Sequence, residues 1–192
     1  MMMALFLVGA FVWSLLEYTL HRWVFHERIL GRRASHEHLE HHAKVNWFPP
    51  WSSKLKAAAV VLGGVGLVTV PLGGAVVGLS LVGGIVAGWL TYEALHRAIH
   101  VAGPRSAYGH WARRHHLHHH FADPRKNHGV STPLWDVVFG TFVSVEIVRV
   151  PARQAAKLPW LLHDGHIAAG LEGTYQLPDF VVADSPSLAR TA

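Results

Sequence analysis

The chain has 192 residues, 51% of them hydrophobic and 15% charged, a balance too apolar and too poor in charge for an ordinary soluble domain of this length. It carries 17 histidines and no cysteine, which excludes thiolate metal sites and disulfides and leaves imidazole and carboxylate as the only metal-binding chemistry. The net charge of +5 comes with no aromatic stacking platform and no nucleic-acid reader motif, so no nucleic acid partner is expected and membrane topology accounts better for the basic residues.

Residues 1–20, MMMALFLVGAFVWSLLEYTL, contain no Lys or Arg and one acid, Glu17. As a helix they measure about 30 Å, one hydrocarbon thickness. The stretch has no basic leader and runs into HRWVFH without a small-residue cleavage site, so it reads as a span and not as a signal peptide. A second apolar tract runs from Ala57 to Leu95. It would be about 58 Å long as one helix, about twice a bilayer crossing, so it must fold back on itself. Pro71-Leu72-Gly73-Gly74 near its middle predicts a tight reversal between helices at roughly 54–70 and 75–95. The pairs Gly74–Gly78 and Gly84–Gly88 have the small-xxx-small spacing that lets helices approach, and predict that the hairpin packs tightly on the first span.

All 17 Lys and Arg fall in 22–56 or 97–190, a positive-inside asymmetry that puts 21–56 and 96–192 on the cytoplasmic side. PLWDVVFGTFVSV, from Pro133, is too short to cross and predicts an interfacial or buried segment. Residues 151–192 show no firm pattern, and His163 and His166 there are expected to be solvated.

Four histidine groups then fall on one side of the membrane. His21-x4-His26 closes the first span; its two members are about 140° apart on an α-helix, so the pair must straddle a helix end or face two metals. His38-x2-His41-His42 places three rings on one side of a helix, where all can reach a single site. His96-x3-His100 ends the return helix on one face, and His116-x2-His119-His120 repeats the second group's spacing. Ten imidazoles exceed what one metal of five- or six-fold coordination can use, so the count argues for two metals. Imidazole suits Zn, Cu, Fe and Ni alike and does not choose among them. Glu17, four residues before His21, and Glu93, three before His96, are placed to accept the second ring N–H of those histidines. His36, His110, His115, His118 and His128 have no repeated spacing and are left outside the site, although the run His118-His119-His120 leaves the register ambiguous by one residue.

The pattern His-x4-His, His-x2-His-His, His-x3-His, His-x2-His-His resembles the fatty acid hydroxylase and sterol desaturase superfamily. EYTLHRWVFH, HLEHHAKVNWFPP and HHLHHHFADPRKNHGVSTPLWDVVFGT are similar to stretches of fatty acid 2-hydroxylases in particular, and the resemblance covers roughly residues 14–143. It implies a non-haem centre of two iron ions held by the ten histidines; imidazole sites favour zinc over ferrous iron, so zinc can replace it in purified material. It also implies a lipid substrate, O2, and two electrons from a separate donor of the cytochrome b5 or ferredoxin–reductase kind, since the chain has no haem-binding motif of its own.

The fold class expected is all-α: an integral membrane bundle of about three spans under a cytoplasmic, histidine-rich helical cap. Residues 1–150 would form the membrane-embedded domain and 151–192 a tail of unassigned role. Two other functions are weighed against hydroxylation of a fatty acyl chain: a carotenoid ring hydroxylase, which the LWDVVFGT stretch fits less well, and a divalent-metal transporter. A transporter needs polar ligands near the bilayer midplane, and residues 57–88 contain no charged residue and no histidine.

Overall fold

A run of apolar residues unbroken by charge makes α1 (Met2–Thr19), and it passes without a loop into a π-helical segment, Leu20–His26. A computed structural model describes residues 1–178 of the chain, so residues 179–192 of the expected tail lie outside it. After Gly31, whose φ of 84° starts a new direction, α2 (Arg32–Ala43) carries the second histidine group. Helix α3 (Trp51–Val101) follows, then α4 (Ala107–Phe121), whose first turn is capped by the Ser106 hydroxyl accepting from the Gly109 N–H, and the short α5 (Leu134–Val138). The chain is mostly helical. The departure from an all-α expectation is in the last third, where β1 (Val148–Arg149) pairs in parallel with β4 (Tyr175–Gln176), and β2 (Leu162–His163) pairs antiparallel with β3 (His166–Ile167).

The long apolar tract reverses as expected. Gly74 adopts φ 82°, ψ 166°, a conformation open to glycine, and divides α3 into two legs. Lys54 and Glu93 form an ion pair, and the Trp51 and Trp89 rings lie 6.1 Å apart; on a straight helix the Lys54–Glu93 pair would be about 58 Å apart. Two helices, Met2–His26 and Trp51–Val101, are long and apolar enough to cross a membrane, and their outward faces expose residues such as Leu7, Val60, Leu67, Leu72 and Leu79. The arrangement fits a helical membrane fold.

The glycines divide their work differently from the sequence expectation. Gly84 and Gly88 do bring the return leg onto α1: a Cβ on Gly84 would stand 2.0 Å from the Phe6 carbonyl oxygen, and one on Gly88 would meet the Trp13 side chain at 2.6 Å. Gly9 of α1 answers from the other side, where a Cβ would lie 2.2 Å from the Leu81 carbonyl oxygen. Gly74, by contrast, is the turn itself, and Gly78 packs against Val70 inside the hairpin. Without a hydrophobic drive between helices in lipid, such backbone approach supplies much of the packing.

The cap has its own core, in which Val45, Ile99, Ala112 and Leu117 pack with Val148, Val150, Ala155, Leu158, Leu161, Leu171 and Tyr175. Residues 151–178 therefore back the helices that carry histidines. Arg113, buried on α4, donates to the carbonyls of Ala98 and Ala102 at the end of α3 and to that of Gly109, and its guanidinium lies over the Trp160 ring. Trp160 in turn donates to the His100 carbonyl at 3.1 Å. The third and fourth histidine groups are thereby locked to each other. α5 sits against α1 with Val137 and Val138 exposed, in keeping with an interfacial segment.

Gly84→Leu is expected to destabilise the helical bundle by about 1–3 kcal/mol or more, because the side chain must enter the Phe6 backbone. Gly63→Leu, at a position with nothing within 4 Å, should be tolerated; thermal unfolding of the two variants in detergent compares them directly.

Candidate metal centre

The ten histidines singled out by spacing converge as two clusters of five: His21, His26, His38, His42 and His119 in one, and His41, His96, His100, His116 and His120 in the other. Within each cluster one ring nitrogen from every member lies within 4.8 Å of all the others. The clusters are adjacent, with the His42 and His120 rings stacked across the boundary at 4.0 Å.

Local helix geometry explains the sorting. In both His-x2-His-His groups the i and i+4 rings enter one cluster and the i+3 ring enters the other. Thus His38 and His42 of α2 share the first cluster while His41 turns to the second, and His116 and His120 of α4 share the second while His119 turns to the first. The expectation that three rings of α2 reach a single site is corrected: α2 and α4 lie between the two clusters, and each supplies both. The remaining pair of each cluster comes from the end of a long apolar helix, His96 and His100 at i, i+4, and His21 and His26 at i, i+5. The last spacing needs neither a helix end nor two metals. The π-helical segment, with its i→i+5 hydrogen bonds, brings positions five apart nearly into line, and the His21 and His26 rings lie 5.1 Å apart in one cluster.

The atoms that converge are Nε2. Separations are 2.9 Å for His26–His38, 3.0 Å for His26–His119 and 3.2 Å for His42–His119 in the first cluster. In the second they are 3.0 Å for His41–His96 and 3.1 Å for both His100–His116 and His116–His120. Two imidazoles bound at right angles to a metal at about 2.1 Å stand about 3 Å apart, so the spacing suits a shared ion. Tautomers agree. His21, His41 and His119 donate from Nδ1 to the carbonyls of His128, Trp47 and Lys126, the last two at 2.6 and 2.7 Å, which leaves each Nε2 with its lone pair inward. The Nε2 of His21 is buried with no hydrogen-bond partner, as a ligand atom facing an ion would be.

Electrostatics keep these rings neutral. Burial, the largest cause, holds His38, His116, His119 and His120 well below the ordinary imidazole range, and neighbouring rings add to it. Burial pushes His41 down to about 4 and His42 to about 2, in the first case against the Trp47 carbonyl, which favours the charged form. A neutral imidazole is the ligating form.

The expected carboxylate partners are corrected. Glu17 does not reach His21; its carboxylate accepts from the Val130 and Ser131 N–H groups and the Ser131 hydroxyl. Glu93 does not reach His96; it pairs with Lys54 and accepts from Trp89 Nε1. For His21, as for His41 and His119, a backbone carbonyl takes the role instead, and a carbonyl has no sequence signature. Sequence reading also passed over Asp136, His115 and His128. Asp136 is fully buried and accepts from His115 Nε2 at 3.2 Å, while His128 presents its carbonyl to His21. The signal available was the clustering of Asn127, His128 and Gly129 ahead of a buried acid. His36, His163 and His166 are exposed, and His110 and His118 join neither cluster.

A cavity of about 440 Å³ leads to the centre. Its walls run from Val60, Val61 and Leu62 on the outer leg of α3, past Trp13 and Val24, to His21 and His38 of one cluster and His41 and His96 of the other. Glu17 and the Lys54–Glu93 pair also line it.

Residues 6–141 match the family model described as fatty acid hydroxylase. The chain is 30% identical over 142 residues to a dihydroceramide fatty acyl 2-hydroxylase of Arabidopsis thaliana, covering 72% of this chain and 60% of that protein. It is 34% identical over 150 residues to the fatty acid 2-hydroxylase of Homo sapiens, covering 71% of this chain and 39% of that protein. Among solved structures it is similar to full-length scs7p, of which only the hydroxylase domain is visible, with a TM-score of 0.59, 26% identity, and coverage of 73% of this chain and 55% of that one. The chain thus spans about 40–60% of the length of these relatives.

Rings already neutral should release almost no protons on binding a metal. At pH 6.0 ordinary imidazoles would be about three-quarters protonated, so ten of them would release several protons. Calorimetry of Zn²⁺ binding at that pH in buffers of differing ionisation enthalpy should give well under one proton per ion. The same depression makes the metal-free fold lose stability as pH falls from about 6.5 towards 4, where the unfolded chain takes up protons that the buried rings refuse.

Proposed function

The chain belongs to the fatty acid hydroxylase family, and from that premise we propose that it is a membrane-bound, non-haem di-iron oxygenase that hydroxylates a fatty acyl chain, at the carbon next to the carbonyl. The observation that carries the reading is the cavity, whose apolar walls on the membrane-facing helices end on histidines of both clusters.

When bound, a pair of irons supplies activation of O2, with one oxygen atom entering a C–H bond, the other leaving as water, and two electrons coming from a separate donor. The chain's own residues do the rest. The five Nε2 atoms of each cluster would hold one ion, with neutral rings and three tautomers fixed by carbonyls. Val60, Val61 and Leu62 give an acyl chain an apolar path that excludes water. Imidazole sites favour zinc over ferrous iron, so zinc is expected in material purified without iron.

Three spans accommodate this: α1 with its π-helical end, and the two legs of α3. All 17 Lys and Arg flank them on the side of the histidines, which supports a multi-pass protein with its centre facing the cytoplasm. An acyl chain then enters laterally from the bilayer, and the electron donor approaches the cap.

Expression in a lipid-defined host, followed by mass spectrometry, should reveal an acyl species heavier by the mass of one oxygen atom. His119→Ala, which removes a first-cluster ligand, and His120→Ala, which removes a second-cluster ligand, should each abolish it. Absence of any oxygenated lipid from the wild-type host would overturn the proposal, and an oxygenated carotenoid in a pigment-producing host would redirect it.

A further inference from the structure

Five of the six residues from Lys126 to Ser131 either accept from a first-cluster ring or are held by a buried carboxylate. Two carbonyls of this loop, those of Lys126 and His128, receive the Nδ1–H groups of His119 and His21, both first-cluster members. The second cluster receives nothing from it. The loop in turn has its successive amides captured by two buried carboxylates. Asp136 Oδ1 accepts from the His128 N–H and Oδ2 from the Gly129 N–H, each at 2.8 Å. Glu17, reaching from α1, accepts from the Val130 and Ser131 N–H groups. Gly129 leaves no room for adjustment, since a Cβ there would stand 2.2 Å from the Thr132 carbonyl oxygen.

We propose that Asp136 is a positioning residue for the first metal site alone: by fixing the amides of His128 and Gly129 it aims the His128 carbonyl, and so the His21 ring, at the ion. Its remaining contacts, the Thr141 hydroxyl at 2.7 Å and His115 Nε2, hold the carboxylate in place and belong to neither cluster. An acid fully buried at the membrane end of the cap, with four donors on two oxygens, is costly to maintain for packing alone. The inference rests on the metal-centre reading above and adds to it an inequivalence of the two sites: one is oriented through a loop, and the other by a single carbonyl, that of Trp47.

The test uses the full chain in detergent, stripped of metal and titrated with Co²⁺, with retained cobalt counted after dialysis and d–d absorption recorded. Wild type should hold two cobalts. Asp136→Asn replaces an acceptor oxygen by a donor facing N–H or O–H groups and should weaken one site by about 10–100-fold, the range for loss of a group that orients a ligand. The residual spectrum should match that of His26→Ala, which opens the first site, and not that of His96→Ala, which opens the second. Glu17→Gln, acting on the other side of the loop, should move the same site in the same direction. Equal loss from both sites in Asp136→Asn, or two cobalts held with unchanged affinity, overturns the inference while leaving the metal centre intact. A wild-type chain that takes up no cobalt overturns the metal-centre reading itself.

Discussion

Ten imidazole rings, six of them buried and four half-buried, facing inward on two points form the constraint on which the rest of this structure depends. A buried lone pair without a partner is costly, and so many converging on two points favour a cation that would share them. Burial already imposes the neutral form on the rings, so the lone pairs are available to a cation at neutral pH. Metal binding at the clusters would therefore stabilise the helices that carry them. The clamps around the clusters follow from it: Arg113 and Trp160 tie α4 to the end of α3, and the core drawn from residues 145–177 braces both.

The interleaving of the clusters comes from helix geometry. On α2 and α4 the rings at i and i+4 point one way and the ring at i+3 another, and both helices lie where the difference in direction separates two clusters. Each cluster therefore has the same make-up: a pair from a long apolar helix, a pair from α2 or α4 and a single ring from the other of those two. The π-helical segment is what completes the symmetry. It lets His21 and His26, whose spacing suits no α-helical face, act as His96 and His100 do.

Which histidines meet was legible in the sequence because repeated spacing is a local property, and all ten members of the two clusters had declared themselves by it. How they divide was not, since i+3 and i+4 look alike until the position of the second ion is known. The hairpin was legible from an apolar run too long for one crossing, with Pro71 and Gly74 at its middle. The partners of the rings were illegible for a different reason. Charge and proximity along the helix suggested Glu17 and Glu93, but the acceptors are the carbonyls of His128, Trp47 and Lys126, which any residue could supply. Asp136 was hidden likewise: its role is to hold amides, and the sequence shows only an acid within a short apolar stretch. Residues 151–178 gave no pattern because their order comes from packing on the cap and from two-residue strands.

Glu17 joins the two halves of the design. It lines the cavity that ends on His21, His38, His41 and His96, and the same carboxylate holds the Val130 and Ser131 amides of the loop that orients His21 and His119. An acid within an apolar span is expensive, and here its cost is offset by three donors and by the placement of that loop. The wall an acyl chain would pass and the carbonyls that aim the first cluster are therefore one hydrogen-bonded unit. The cavity wall and the orientation of the His21 ring thus share one carboxylate, so in the proposed reading the path of an acyl chain and the geometry of the first cluster are set together.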